Sequence, residues 1–152
     1  MIRDISTAST IMVPCHKEDA LAVIWEIKNI EKCEVKADVV NVTKETEKTG
    51  TYKVRGHFAG IPWRNQFSYE LNDKGFHSVE TNPPGPRPRI QGGFIVDVTG
   101  EKACKITHYE QYELPRWLVP LKLFIVAYLK WSMRKELRDL RDFILESAAE
   151  VS

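Results

Sequence analysis

Hydrophobic and polar positions along this chain change period twice, ending in one long helical pattern. Ser6–Val13 is β-branched and polar and stops at Pro14, which predicts a first strand. Asp19–Ile27 carries Ala20, Val23, Ile24 and Ile27 at helical spacing, and a second helical turn is expected around Ile30–Glu34. From Val35 the period becomes two. Strands are expected at Val35–Thr43, Thr51–His57, Trp63–Leu71, Gly75–Thr81, Arg89–Val98 and Ala103–Tyr112. Ala59-Gly60-Ile61-Pro62 and Asn72-Asp73-Lys74-Gly75 read as hairpin turns, and Gly92-Gly93 as a bulge that bends the sheet.

From Leu118 to Glu150 there is no Gly, and Pro120 near the start is the only Pro. A helix over that segment spans roughly 50 Å at 1.5 Å per residue. No helix interrupts the hairpins, so one twisted antiparallel sheet and one terminal helix form an α+β architecture. Such a helix either holds the sheet closed over a cavity or offers a face to a partner.

Composition narrows the function only slightly. The 152 residues suit one domain with a sizeable core, at 43% hydrophobic and 28% charged residues. A formal net charge of +1 gives no field to hold nucleic acid, so no nucleic-acid partner is expected. Cys15, Cys33 and Cys104 are odd in number and widely spaced, which fits free buried thiols in a reducing compartment. Met1–Thr10 is polar, unlike the apolar run of a secretory leader, and a cytoplasmic location is the expectation. His16, His57, His77 and His108 lie far apart, and no HExxH, nucleophile elbow or phosphate-loop sequence occurs. No metal or cofactor is expected.

The order strand, two short helices, six strands and long helix resembles the START/Bet v 1-like (SRPBCC) superfamily, of the polyketide cyclase/dehydrase and lipid-transport type. The resemblance is carried by Asp19–Trp25 leading into Asn29-Ile30-Glu31, by Cys104–Tyr112 running into Glu113-Leu114-Pro115, and by the terminal helix. It implies a helix-grip fold: a curved antiparallel sheet of about seven strands wrapped around the last helix, with an apolar tunnel between them. It carries over no catalytic residue.

On that frame, Tyr52, Val54, Trp63, Phe67, Tyr69, Phe94 and Val96 are the expected aromatic and aliphatic wall, set against either an open cavity or a filled core. Ile106, His108, Glu110 and Tyr112 share one face of the last strand, which looks inward in the family pattern. They would orient a ligand's polar head, exchange protons with it, satisfy one another in an internal network, or face solvent. Val126, Leu129 and Met133, continued by Leu137, Leu140 and Ile144, form the helix stripe facing the sheet. A second stripe, Leu121, Phe124, Tyr128 and Trp131, calls for cover by the chain's own loops, by a second copy in a homodimer, or by transient membrane contact. Arg87 and Arg89, at the rim beside the Pro-rich segment Asn82–Pro88, are candidates to meet an anionic head group. Binding or transport of a small hydrophobic ligand (a lipid, a polyketide or similar) is the leading expectation. A cyclase or dehydratase using His108 or Glu110, and an adaptor using the helix, are the alternatives.

Overall fold

The computed structural model describes residues 4–81 and 89–151. The chain runs β1 (Asp4–Val13), α1 (Lys17–Ile24), a 3-10 turn (Ile27–Asn29), α2 (Ile30–Cys33), β2 (Val39–Lys44), β3 (Thr49–Phe58), β4 (Ile61–Asn72), β5 (Gly75–Glu80), β6 (Ile90–Gly100) and β7 (Ala103–Glu113). A 3-10 segment, Arg116–Leu121, then feeds α3, Lys122–Val151. All strand pairs are antiparallel. The sheet order is β1-β7-β6-β5-β4-β3-β2, so β1 closes on β7 and the hairpins unroll in sequence to the β2 edge.

Each element follows from its residues. β7 buries Cys104, Ile106, His108 and Glu110 at alternate positions, the signature of a strand with one inward face. α1 buries Ala20, Leu21, Val23 and Ile24 and carries Glu18 and Asp19 in its first turn, where carboxylates favour the helix dipole. The Trp25 indole N–H, just beyond α1, donates to the carbonyls of Asn72 and Gly75, at 2.9 and 3.0 Å, and ties the helix to the β4–β5 turn. α3 lies against β1, α1 and α2, burying Leu129, Met133, Leu137, Leu140 and Ile144. At about 1.5 Å per residue its 30 residues span about 45 Å.

Four local expectations are corrected. The helix over Asp19–Ile27 ends at Ile24, and the chain re-enters a 3-10 turn at Ile27. The strand expected from Val35 begins at Val39, because Lys36 turns inward and its carbonyl accepts hydrogen bonds from the His57 amide and the Trp63 indole. Gly92-Gly93 is no bulge: Gly92 faces Ser78 and Glu110, Gly93 faces His77 and Tyr109, and the register shifts between Val98 and Gly100 instead. A Cβ at Gly93 would stand 2.0 Å from the Phe76 carbonyl oxygen, so glycine there serves close strand approach. The helical pattern from Leu118 is 3-10 up to Leu121, around Pro120, which has no amide hydrogen to donate.

The Pro-rich segment Asn82–Pro88, with Arg87, lies outside the described residues. All three cysteines are buried and free. Among the described residues, no helix is long and apolar enough to cross a membrane.

Candidate functional site

The apolar core is split in two. A large cluster joins α1, α2 and the outer part of α3, from Leu137 to Ile144, to the sheet. A smaller one gathers Ile5, Leu114 and Leu129, with Phe58, Tyr112, Ile125 and Val126 packed against it. Between them lies a cavity of about 360 Å³. Phe58, Trp63, Phe67, Phe76, Phe94 and Ile125 line it, as do Leu114, Pro115 and Leu118.

Of the wall expected from sequence, Tyr52, Trp63, Phe67 and Phe94 line this cavity, as do His108, Glu110 and Tyr112. Val54, Tyr69, Val96 and Ile106 do not: they are buried in the larger cluster, packed by the protein's own side chains. Leu129 belongs to the smaller cluster and Val126 packs beside it. Met133 is fully buried away from the lining. The reason is the pitch of α3, which turns Ile125 to the cavity and presses Leu129 and Met133 into packed core.

The cavity floor is ionic. Lys36 Nζ stands 3.1 Å from Glu110 Oε1 and 3.0 Å from Glu136 Oε1, all three side chains being more than nine-tenths buried. His108 lies stacked on Phe94, with ring centroids 4.2 Å apart. Its Nε2 is 3.2 Å from Glu110 Oε1, and its Nδ1 is 3.4 Å from Glu136 Oε2 without the alignment of a hydrogen bond. The Tyr112 hydroxyl donates to the other Glu110 oxygen. Glu34 completes the group, its carboxylate 3.8 Å from His108 Nε2.

These contacts set the protonation. Burial opposes the Lys36 charge, but Glu110, Tyr112 and Glu136 overcome it and hold the ammonium well above its ordinary value. Burial likewise opposes the imidazolium, yet Glu110 and Glu136 lift His108 to about 10. Burial would raise Glu110, but Lys36 and His108 hold it well below the usual carboxylate range. Glu34 goes the other way: burial, reinforced by Glu136, raises it to about 7. Burial also pushes the Tyr52 and Tyr112 phenols up. At neutral pH the floor therefore holds two cations, Lys36 and His108.

Donor atoms of Glu34, His108, Glu110 and Glu136 lie within 4.8 Å of one another, close enough to surround an ion. The Lys36 ammonium already stands between Glu110 and Glu136 as their counter-charge.

Reasoning from sequence missed Glu34, Lys36, Glu136 and Ser132, whose hydroxyl lies 3.5 Å from Lys36 Nζ. Two of them carried a signal. Glu136 follows Leu129 by seven residues and Met133 by three, and precedes Leu140 by four, so it falls on the buried stripe, as does Ser132 one turn earlier. Lys36 carried none, since the alternation around it read as a strand.

No family model and no curated protein matches the sequence. Solved structures do match in shape. A Thermus thermophilus protein, TTHA0849, superposes with a TM-score of 0.79 at 12% identity, over 94% of this chain and 99% of that one. The ZhuI aromatase/cyclase from Streptomyces sp. R1128 gives 0.69 at 11% identity, over 98% and 96%. A STAR-related lipid transfer protein from Xanthomonas axonopodis gives 0.63 at 13% identity, over 91% and 85%.

The chain has the START/Bet v 1-like helix-grip fold.

In this helix-grip chain the second stripe of α3 is not covered by the described loops, contrary to one expectation. Tyr128 packs on Phe58, with centroids 4.8 Å apart, but Phe124 remains 77% exposed and Trp131 51%. Arg89, a candidate for an anionic head group, instead sets its Nε 3.5 Å from Glu80.

Proposed function

We propose that this chain binds a small hydrophobic molecule in the cavity between the sheet and α3. The observation that carries the reading is the cavity itself: about 360 Å³, within the range of small-molecule pockets, lined by six aromatic and aliphatic side chains from Phe58 to Ile125 together with the ionic group of Glu34, Lys36, His108 and Glu110. Structural neighbours that include a lipid transfer protein and an aromatase/cyclase support the same reading. Burying apolar ligand surface contributes roughly 25 cal/mol per Å², which needs no reaction. Catalysis is the weaker reading for His108 and Glu110, because both spend their charges on each other, on Lys36 and on Glu136. The test is native mass spectrometry of protein purified without detergent, together with displacement of a fluorescent apolar dye. A co-purified apolar mass and dye binding lost in Ile125→Trp, which fills the cavity, are expected. Dye binding unchanged by that substitution would place the ligand elsewhere.

A second observation favours a membrane surface as the place where the ligand is collected. From Leu114 to Lys135 there is no Asp or Glu, while Arg116, Lys122, Lys130, Arg134 and Lys135 all occur. Trp117, Leu123 and Phe124 are exposed in the same stretch, beside the Leu118 and Ile125 that border the cavity. Exposed aromatics among cations suit an anionic bilayer. Co-sedimentation with phosphatidylserine-containing vesicles is expected, weakened by salt and lost when Leu123, Phe124 and Trp131 are all changed to Ser. A concentration-dependent dimer that buries the same residues would replace this reading.

A further inference from the structure

We propose that the Glu34 carboxylate makes the cavity reject anionic amphiphiles, so that its ligand is a neutral or cationic apolar molecule. The inference rests on the proposed binding function and names the ligand class.

Three carboxylates, Glu34, Glu110 and Glu136, stand against two cations, Lys36 and His108, and all but the buried Glu136 line the cavity. Four of the five are locked together: Lys36 between Glu110 and Glu136, and His108 against the same two. The odd charge is Glu34. Among the described residues its carboxylate accepts no hydrogen bond, and His108 Nε2 at 3.8 Å is beyond hydrogen-bond reach. It is also the most accessible of the five, with 19% of its side chain exposed against 8% or less for the others. It lines the cavity beside Lys36, His108 and Glu110.

An entering carboxylate would therefore meet cations already ion-paired to Glu110 and Glu136, and one carboxylate, Glu34, that accepts no hydrogen bond. In a low-dielectric pocket that repulsion is far stronger than in water. A hydroxyl or amide N–H meets an acceptor that needs a donor, and an ammonium meets its counter-charge. Of the arginines that also line the cavity, Arg89 is paired to Glu80, and Glu113 adds a carboxylate to the same lining.

The selectivity also titrates. Glu34 is faced by Glu136 from α3, by Lys36 from the turn before β2, and by His108 and Glu110 from β7. Burial and Glu136 raise it to about 7, so it is charged on the alkaline side and neutral on the acidic side. Discrimination against anions is strongest at alkaline pH and fades below neutrality.

The experiment compares decanoate, decanol and decylamine, each below micelle formation, as competitors of Nile red. At about pH 8 decanoate is expected to compete at least about tenfold more weakly than decanol, with decylamine matching or exceeding decanol. At about pH 6 the gap between decanoate and decanol narrows. Glu34→Gln closes it at both pH values, while Glu34→Asp, which keeps the charge, retains it. Decanoate binding as tightly as decanol to the unaltered protein at about pH 8 overturns the inference without any variant. So does a gap that Glu34→Gln leaves intact. Failure of Nile red and of all three competitors to bind sinks the proposed function, and the ligand class with it.

Discussion

Lys36 Nζ stands 3.0 Å from Glu136 Oε1, joining a turn before β2 to a helix one hundred residues later in sequence. The pair is almost completely buried, and its energetics differ from those of a surface ion pair. Taking two charges out of water costs nearly what their attraction returns, so the pair as a whole adds little. Removing one partner is another matter, because the remaining charges stay buried and unmatched. Lys36→Met is expected to destabilise the fold by about 3–5 kcal/mol in urea denaturation. The double variant Lys36→Met/Glu136→Met should recover part of that loss. Additive losses in the double variant would show that the two groups do not act together.

The turn that aims Lys36 inward depends on Gly56 of β3. A Cβ at that position would stand 1.7 Å from the Lys36 carbonyl oxygen and 3.0 Å from the Ala37 Cα, both backbone atoms that cannot move aside alone. The same carbonyl accepts hydrogen bonds from the Trp63 indole at 3.0 Å and the His57 amide at 3.2 Å. Gly56→Ala is therefore expected to displace the turn, to destabilise the protein by about 2 kcal/mol or more, and to weaken binding of apolar dye in whatever fraction folds. A Gly56→Ala protein with unaltered melting temperature would mean that the turn is free to shift.

Much of the fold was legible because it rests on periodicity. β7 alternates Ile106, His108, Glu110 and Tyr112 on one face, and α3 repeats Leu129, Met133, Leu137, Leu140 and Ile144 at helical steps. Both patterns survive folding because burying one face is what makes each element stable. The cavity was legible only in part. Phe67 and Tyr69 share a strand face and looked equivalent, yet Phe67 lines the cavity and Tyr69 is packed core. That difference comes from curvature, which no strand carries in its own sequence. Lys36 was hidden for a related reason: its burial is decided by partners on β7 and α3, and nothing local to it favours an inward turn.

Protonation of the floor fixes the direction in which stability depends on pH. Glu34 titrates at about 7 in the folded chain, against an ordinary value of 4.5. Between those values the native state binds more protons than the unfolded one, so stability falls as pH rises. His108, raised from 6.5 to about 10, contributes stability that is complete below 6.5 and lost as pH climbs through 10. The two slopes have the same sign in adjacent windows. Glu110 acts oppositely, contributing stability that is complete above its unfolded value of 4.5 and lost progressively as pH falls below it. The melting temperature is expected to peak on the mildly acidic side and decline toward alkali. Glu34→Gln should flatten the decline between about 4.5 and 7 and leave the later one in place. A wild-type maximum near pH 9 would contradict both assignments.

The β3–β4 hairpin carries a correctable strain. Its two turn residues, Ala59 and Gly60, have φ of 51° and 85°, the left-handed conformation required where two residues join twisted strands. Gly60 adopts it freely, but Ala59 brings its Cβ against its own carbonyl at a cost of about 1–2 kcal/mol. Nothing in the packing demands alanine, since the hairpin tip is exposed and the neighbouring Ile61 is 68% exposed. Asparagine tolerates the left-handed region and loses less chain entropy than glycine on folding. Ala59→Asn is therefore expected to stabilise the protein by about 0.5–1 kcal/mol, with Ala59→Gly gaining less because it also loosens the unfolded chain. Thermal melts of the two variants against the parent decide it: a loss of stability in both would mean that the turn prefers another backbone conformation in solution.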